Sequence, residues 1–145
     1  MQIDESVFIA APVPAVWQCL MDNEVLRACL PGCSSLERKP EGGMLASFDF
    51  NFAFLQKSFT AHIGRRNIEK QARLTFVGRV GQKHKGQVDL VLVPEGQGTR
   101  LTSRIMADMR FGTSRLGAFV VKNAANKILA DFNARLTAAA QSQPA

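Results

Sequence analysis

Few side chains in this sequence could perform acid–base or covalent chemistry, and the spacing works against each of them. His62 and His84 are the only histidines. His62 has the parity opposite to Phe59, Ala61 and Ile63, so it is expected outside any core, and His84 falls in a basic hairpin tip. A general base needs a cavity and a tuned protonation state, and neither histidine is placed for that. Cys33 as a nucleophile would need a base beside it to lower its thiol pKa, and the sequence puts none there. The three cysteines, Cys19, Cys29 and Cys33, are spaced C-x9-C-x3-C, without the C-x-x-C pair or nearby histidines of a zinc site. Their odd number fits no secreted disulfide framework and suits a reducing compartment. No catalytic residue and no metal ligand is assigned.

What remains is apolar and cationic chemistry. The chain has ten phenylalanines and no tyrosine, giving aromatic area without a hydrogen-bonding handle. Phe48, Phe50, Phe52 and Phe54 share one parity, while Ser47, Asp49 and Asn51 take the other, where a solvated role is expected. The basic residues Arg65, Arg66, Lys70, Arg73, Arg79, Lys83 and Lys85 face Glu69 alone across residues 65–85, which accounts for the whole net charge of +6. Such an edge can meet anionic lipid headgroups or an acidic protein surface, or simply deter edge-to-edge aggregation as a solvated hairpin. Nucleic acid is not expected as a partner, because only Phe76 is interleaved with these charges.

The elements that must position these residues follow from periodicity. Residues 2–9 alternate as a half-buried strand. Pro14 suits the first turn of a helix carrying Val16, Trp17 and Leu20, and a second short helix over 23–28 stops before Leu30-Pro31-Gly32. From Cys33 the period is two for nearly eighty residues, with turn signals at 39–43, around 65–67, at 81–82 and at 94–98, which predicts an antiparallel meander. After Gly112, Thr113 or Ser114 can cap a helix reaching about residue 139, about 40 Å at 1.5 Å per residue. Its apolar stripe is read as Leu116, Phe119, Val120, Ala124, Ile128, Phe132 and Leu136, with Asn123 on the same face, where an unpaired amide is costly.

With 145 residues and 46% apolar content, this is one domain over 1–139 with a fraying tail over 140–145. The longest uncharged stretch, residues 6–21, contains Pro12 and Pro14 and falls short of the roughly 20 apolar residues of a spanning helix. An acidic start argues against a signal peptide. The expected location is cytoplasmic, or peripheral at the inner face of the membrane.

A strand, two short helices, a long meander and a terminal amphipathic helix predict an α+β helix-grip fold: a curved antiparallel sheet wrapped around the last helix. A bent sheet cannot touch a straight helix along its full length, so a cavity between them is expected, unless the phenylalanines interdigitate into a solid core. Its expected lining is Trp17, Leu30, Phe48, Phe50, Phe52, Phe54, Phe59, Phe76, Leu90, Ile105, Met109, Leu116, Phe119, Val120 and Asn123.

Ala11-Pro12-x3-Val16-Trp17, Asp22, Leu26, Leu30-Pro31-Gly32-Cys33 and Leu36-Glu37, with Gly86-Gln87-Val88, Gly98-Thr99, Leu101 and Phe132, carry a resemblance over about residues 2–137. The sequence resembles the CoxG family, the branch of the START/SRPBCC superfamily typified by the G-type subunit of carbon monoxide dehydrogenase. The resemblance implies a ligand-binding domain that assists a molybdenum hydroxylase or links it to the membrane, with a quinone or other lipophilic molecule as guest and no covalently bound cofactor. Where the family has a G-P-[IV]-like turn, this chain has Phe54-Leu55-Gln56-Lys57, implying a different pocket rim. The main expectation is a non-catalytic carrier or adaptor whose basic edge meets an anionic membrane or an acidic partner. The alternatives are a ligand-free maturation module and a helix-grip enzyme, the last requiring turnover dependent on Cys33 or His62.

Overall fold

The computed structural model describes residues 2–52, 55–82, 84–108 and 115–143. The chain forms β1 (Gln2–Ile9), α1 (Val13–Met21), α2 (Asn23–Cys29), β2 (Cys33–Arg38), β3 (Met44–Phe52), β4 (Leu55–Glu69), β5 (Arg73–Val80), β6 (His84–Glu95), β7 (Gly98–Asp108) and α3 (Arg115–Gln141). The strands make one antiparallel sheet in the order β1-β7-β6-β5-β4-β3-β2. β1 and β2 are thus opposite edges, and α1 and α2 carry the chain from one to the other.

Local chemistry fixes that crossover. Pro14 occupies the first turn of α1, where its missing N–H costs nothing. Asp22 caps α2, its Oδ1 accepting from the backbone N–H groups of Glu24 at 2.9 Å and Val25 at 3.3 Å. Leu30, held extended by Pro31, ends α2, and Gly32 turns the chain at φ 76°. Gly98 allows β1 to approach β7: a Cβ there would lie 2.5 Å from the Phe8 ring. The neighbouring Thr99, fully buried, donates through Oγ1 to Ala11 O at 2.8 Å and ties the start of the crossover to the sheet.

The core lies where α1 and the C-terminal half of α3 cover one face of the sheet, around Ile9, Val16, Leu20, Leu74, Leu90, Leu101, Phe132 and Leu136. α3 packs against α1 and α2, and Arg135 Nη1 donates to Ala28 O at 3.4 Å.

Two boundaries differ from expectation. The turn signal at 65–67 is a β-bulge inside a longer β4, because Asn67 takes a left-handed φ of 52° and strand pairing resumes at Glu69. The reversal itself lies between Glu69 and Arg73, closed by Ala72 N–H donating to Glu69 O at 2.9 Å. The terminal helix continues to Gln141, since Ala140 is packed in the core and cannot belong to a frayed tail. The expected caps Thr113 and Ser114 lie outside the described residues.

Candidate functional site

Residues that face α3 across the sheet form rows, because register partners on neighbouring strands point to one face. Phe76, Val88, Ile105 and Ile3 make one row, and Leu74, Leu90 and Ser103 make the next toward the core. On the other side of the Phe76 row the series reads Ile63, Gly78, Gly86, Ala107. Three of its four members have one side-chain carbon or none, so the sheet has almost no side-chain thickness there.

The two glycines are not there to relieve the backbone. Neither has a positive φ. A Cβ on Gly78 would meet nothing closer than His62 O at 4.0 Å, and one on Gly86 would make ordinary contacts from 3.4 Å. What the glycines supply is empty volume. The result is a cavity of about 360 Å³ between this strip and the middle of α3. Its walls are Phe48, Ile63, Phe76, Val88, Leu90 and Ile105 from the sheet, Ala125, Ile128, Leu129 and Phe132 from α3, Leu26 from α2, and Leu30 and Pro31 from the corner after it. The exposed lining is almost wholly apolar. Its volume is within the usual range for small-molecule sites and more than twice the ~150 Å³ of a dry protein cavity that admits benzene.

Of the expected lining, Leu30, Phe48, Phe76, Leu90 and Ile105 do converge on this space. Phe59 stacks on Phe48 with ring centroids 5.3 Å apart, and so backs a wall without being one. Phe54 and Met109 lie outside the described residues. So do the side chains of Phe50, Phe52, Leu116, Phe119 and Val120, although their backbones belong to β3 and α3.

Two assignments are corrected. Trp17 is packed in the core with Val13, Val16 and Leu20 rather than at the cavity, because α1 covers the part of the sheet where the inward side chains are large. Asn123 is exposed. Nine residues at 100° each put it about 180° around the helix from Phe132, and a stripe read only in steps of four drifts off the buried face. The inward face of α3 is instead Ala125, Ile128, Leu129, Phe132, Asn133, Leu136 and Ala140. The amide that sequence reasoning missed is Asn133, 5% exposed, whose Oδ1 has no hydrogen bond. Its position four after Leu129 and three before Leu136 was the available signal.

The cationic residues also divide. Arg66, Lys70, Arg73, Arg79 and Lys85 are exposed, and Lys83 lies outside the described residues. Arg65 does not belong to that surface. It continues the inward parity of Ala61 and Ile63, lies 5.4 Å over the Phe76 ring and donates through Nη2 to Leu20 O at 3.0 Å. That carbonyl is in the last turn of α1, so Arg65 satisfies an orphan acceptor at the negative end of the helix dipole. Burial, and then the charge of Arg38, lower its pKa below the ordinary arginine value.

His62 is on the outer face, its Nδ1 2.9 Å from Lys39 Nζ. His84 is not in a solvated tip: it is the first residue of β6, half-buried, and borders the cavity beside Val80. Burial pushes all three cysteine thiols up, Cys29 to about 11. Cys33 Sγ donates to Ser35 O at 3.2 Å. Asp49 is exposed and accepts from Ser58 Oγ at 2.6 Å. Among the described residues no three His, Cys, Asp or Glu side chains converge as metal ligands, and no helix is long and apolar enough to cross a membrane.

A seven-stranded antiparallel sheet closing on a long C-terminal helix, with two short helices spanning its edges and an apolar space under the grip, defines a helix-grip domain. Solved structures share this fold. A conserved protein from Geobacillus kaustophilus superposes with a TM-score of 0.88 at 21% identity, covering 97% of this chain and 95% of that one. A protein from Thermus thermophilus gives 0.68 at 15% identity, covering 98% of each chain. Ara h 8.0201 gives 0.68 at 13% identity, covering 99% of each. No curated protein matches the sequence. The model of the CoxG family, that of the G-type subunit of carbon monoxide dehydrogenase, matches residues 6–141, and the chain belongs to that family.

Proposed function

We propose that the chain is a non-catalytic carrier that holds a hydrophobic molecule, a quinone or a lipid, under α3, and that it serves as an accessory factor for a molybdenum hydroxylase of the carbon monoxide dehydrogenase type. The observation that carries this reading is the glycine–alanine strip opposite Ala125 and Ile128. A sheet evolved only for packing gains by placing aliphatic side chains there, and this one leaves the space open. The near absence of polar surface in the lining, which His84 borders at one end, matches a guest bound by area rather than by hydrogen bonds. The exposed cations outside suit recruitment to an acidic partner or to the anionic inner face of the membrane.

The test is displacement of an environment-sensitive apolar fluorophore by a short-tailed benzoquinone or naphthoquinone. Saturable, stoichiometric displacement supports the carrier, and no saturable binding of any lipophile overturns it. Trp17 is a poor reporter because it points from α1 into the core and not into the cavity. The exposed cationic face favours one second reading, a ligand-free interaction module. In that case capture of the hydroxylase would survive filling of the cavity and be lost on reversing Arg66 and Arg79 to glutamate.

A further inference from the structure

The opposite face of the same strands carries a second hollow. A groove of about 1180 Å³ runs across β4, β5 and β6, with the β2–β3 turn as one wall and Gln2 and Met106 toward the other. Six of the residues that line it carry or can carry positive charge, Lys39, His62, Arg65, Arg66, Arg79 and Lys85, although the Arg65 guanidinium turns to the inner face. Gly64, facing Val77 on the next strand, and Gly43 in the turn keep its floor low. Gly78, Arg79, Lys85, Gly86 and Ala107 border both this groove and the apolar cavity, so a single layer of backbone separates the two.

The charges in this groove are arranged at a cost to the fold. His62, Arg79 and Lys85 are successive register partners, about 4.8 Å apart from strand to strand. Like charges placed directly opposite on one face are destabilising. The register ends this row with two acidic residues, Glu37 beyond Leu45 on the far side of His62 and Asp108 at the position opposite Lys85, and leaves Arg79 and Lys85 directly opposite each other. Farther along the same strands the rows are balanced. There Arg104 Nε donates to Asp4 Oδ1 at 2.8 Å, and Asp89 Oδ1 accepts from Thr75 Oγ1 at 2.8 Å. Arg66, Arg79 and Lys85 make no ion pair among the described residues. Lys39 pairs with Glu41 only at 3.9 Å, at the exposed end of the turn. Lys39 Nζ lies 2.9 Å from His62 Nδ1, which draws the turn against β4 along this wall of the groove.

We propose that this groove receives an extended acidic segment of a protein partner. Its cations lie on the floor and one wall of a concavity. A strand-like polypeptide can enter it, whereas the plane of a bilayer meets only projecting groups. Carboxylates on such a segment would offset the repulsion between Arg79 and Lys85, and guanidinium groups favour bidentate pairing with them. The inference names the partner surface of the function proposed above and rests on that reading only there; it is independent of what fills the cavity.

The experiment uses the full chain and measures fluorescence anisotropy of a labelled decaglutamate peptide at low salt. A decaglutamine peptide and sedimentable vesicles of phosphatidylserine and phosphatidylcholine are the comparisons. The expected result is saturable binding of decaglutamate alone, weakening with salt. It falls at least tenfold in Arg79→Glu/Lys85→Glu and stays within about twofold in Lys70→Glu/Arg73→Glu, which makes the same change in net charge outside the groove. Equal losses in both double variants would overturn the groove in favour of diffuse charge. Vesicle binding that depends on Arg79 and Lys85 without peptide binding would overturn it in favour of lipid. Far-ultraviolet circular dichroism and a cooperative thermal transition close to that of the parent chain verify that Arg79→Glu/Lys85→Glu is folded, and because neither measurement reads the cavity, this test fails or succeeds separately from that of the carrier.

Discussion

Filling part of the cavity from the sheet side should stabilise the protein and weaken guest binding together, and the pairing of these opposite effects is the informative result. Gly78→Leu is the perturbation. The backbone there accepts a side chain, and a Cβ points into open space with its nearest neighbour 4.0 Å away. Burying a leucine side chain stabilises by about 1.5–3 kcal/mol, and removing a glycine from a strand interior adds about 0.5–1 kcal/mol. The cavity is partly open, so about 2 kcal/mol is the reasonable expectation. In a chain of this size that raises Tm by about 4–8 °C. The added isobutyl group takes up part of the 360 Å³, so affinity for a probe that uses the full space should fall by at least about tenfold, equivalent to 1.4 kcal/mol. Scanning calorimetry reads the first quantity and fluorophore displacement the second. Gly64→Ala, on the opposite face of β4, should leave guest binding unchanged. A Gly78→Leu protein that melts several degrees lower and binds the fluorophore as before would refute the reasoning, because it would mean that the space is already filled or is not the binding site.

Three further outcomes are expected. Arg65→Leu keeps the contact with Phe76 but leaves Leu20 O without its partner, costing about 1–3 kcal/mol, whereas Arg66→Leu should stay within about 0.5 kcal/mol; thermal denaturation of the pair distinguishes them. Asp22→Ala removes the cap of α2 and should cost about 1 kcal/mol, read by chemical denaturation with an unchanged m-value. The hydrogen bond from Arg104, and then that from Gln2, hold the carboxyl of Asp4 below its ordinary 3.8. The unfolded chain therefore takes up this proton first as pH falls. The stabilisation is present above about pH 4, is lost on further acidification, and disappears from the pH profile in Asp4→Asn. Because the pair is exposed, high salt should erase most of it.

The architecture is legible in the sequence because its signals are local and strong. Proline at the start of α1, Asp22 before α2, Leu30-Pro31-Gly32 after it and the strict alternation through the meander each act within a few residues, and each element forms where they place it. The bulge at Asn67 reads as a turn because a left-handed asparagine serves either purpose, and only strand pairing decides between them. The site is less legible for a different reason. The sequence advertises phenylalanines, but the cavity is made by side chains that are missing, and Gly78, Gly86 and Ala107 become one strip only when register aligns three strands. Arg65 joins a basic run when charge is counted along the chain, although its parity with Ala61 and Ile63 already points inward. On α3, a stripe followed in steps of four chooses Asn123 over Asn133, a choice that the 3.6-residue period reverses.

The single sheet of backbone between the two hollows gives the molecule a thin septum, greasy on one side and electropositive on the other. A guest that levers β5 away from β6 necessarily alters the spacing of Arg79 and Lys85 behind them, since each follows or precedes one of the glycines the guest would press against. If loading changes the grip on an acidic segment, the segment must change the hold on the cargo by the same factor. Docking and unloading would then be two readings of one deformation, measurable by titrating decaglutamate into the quinone-saturated protein.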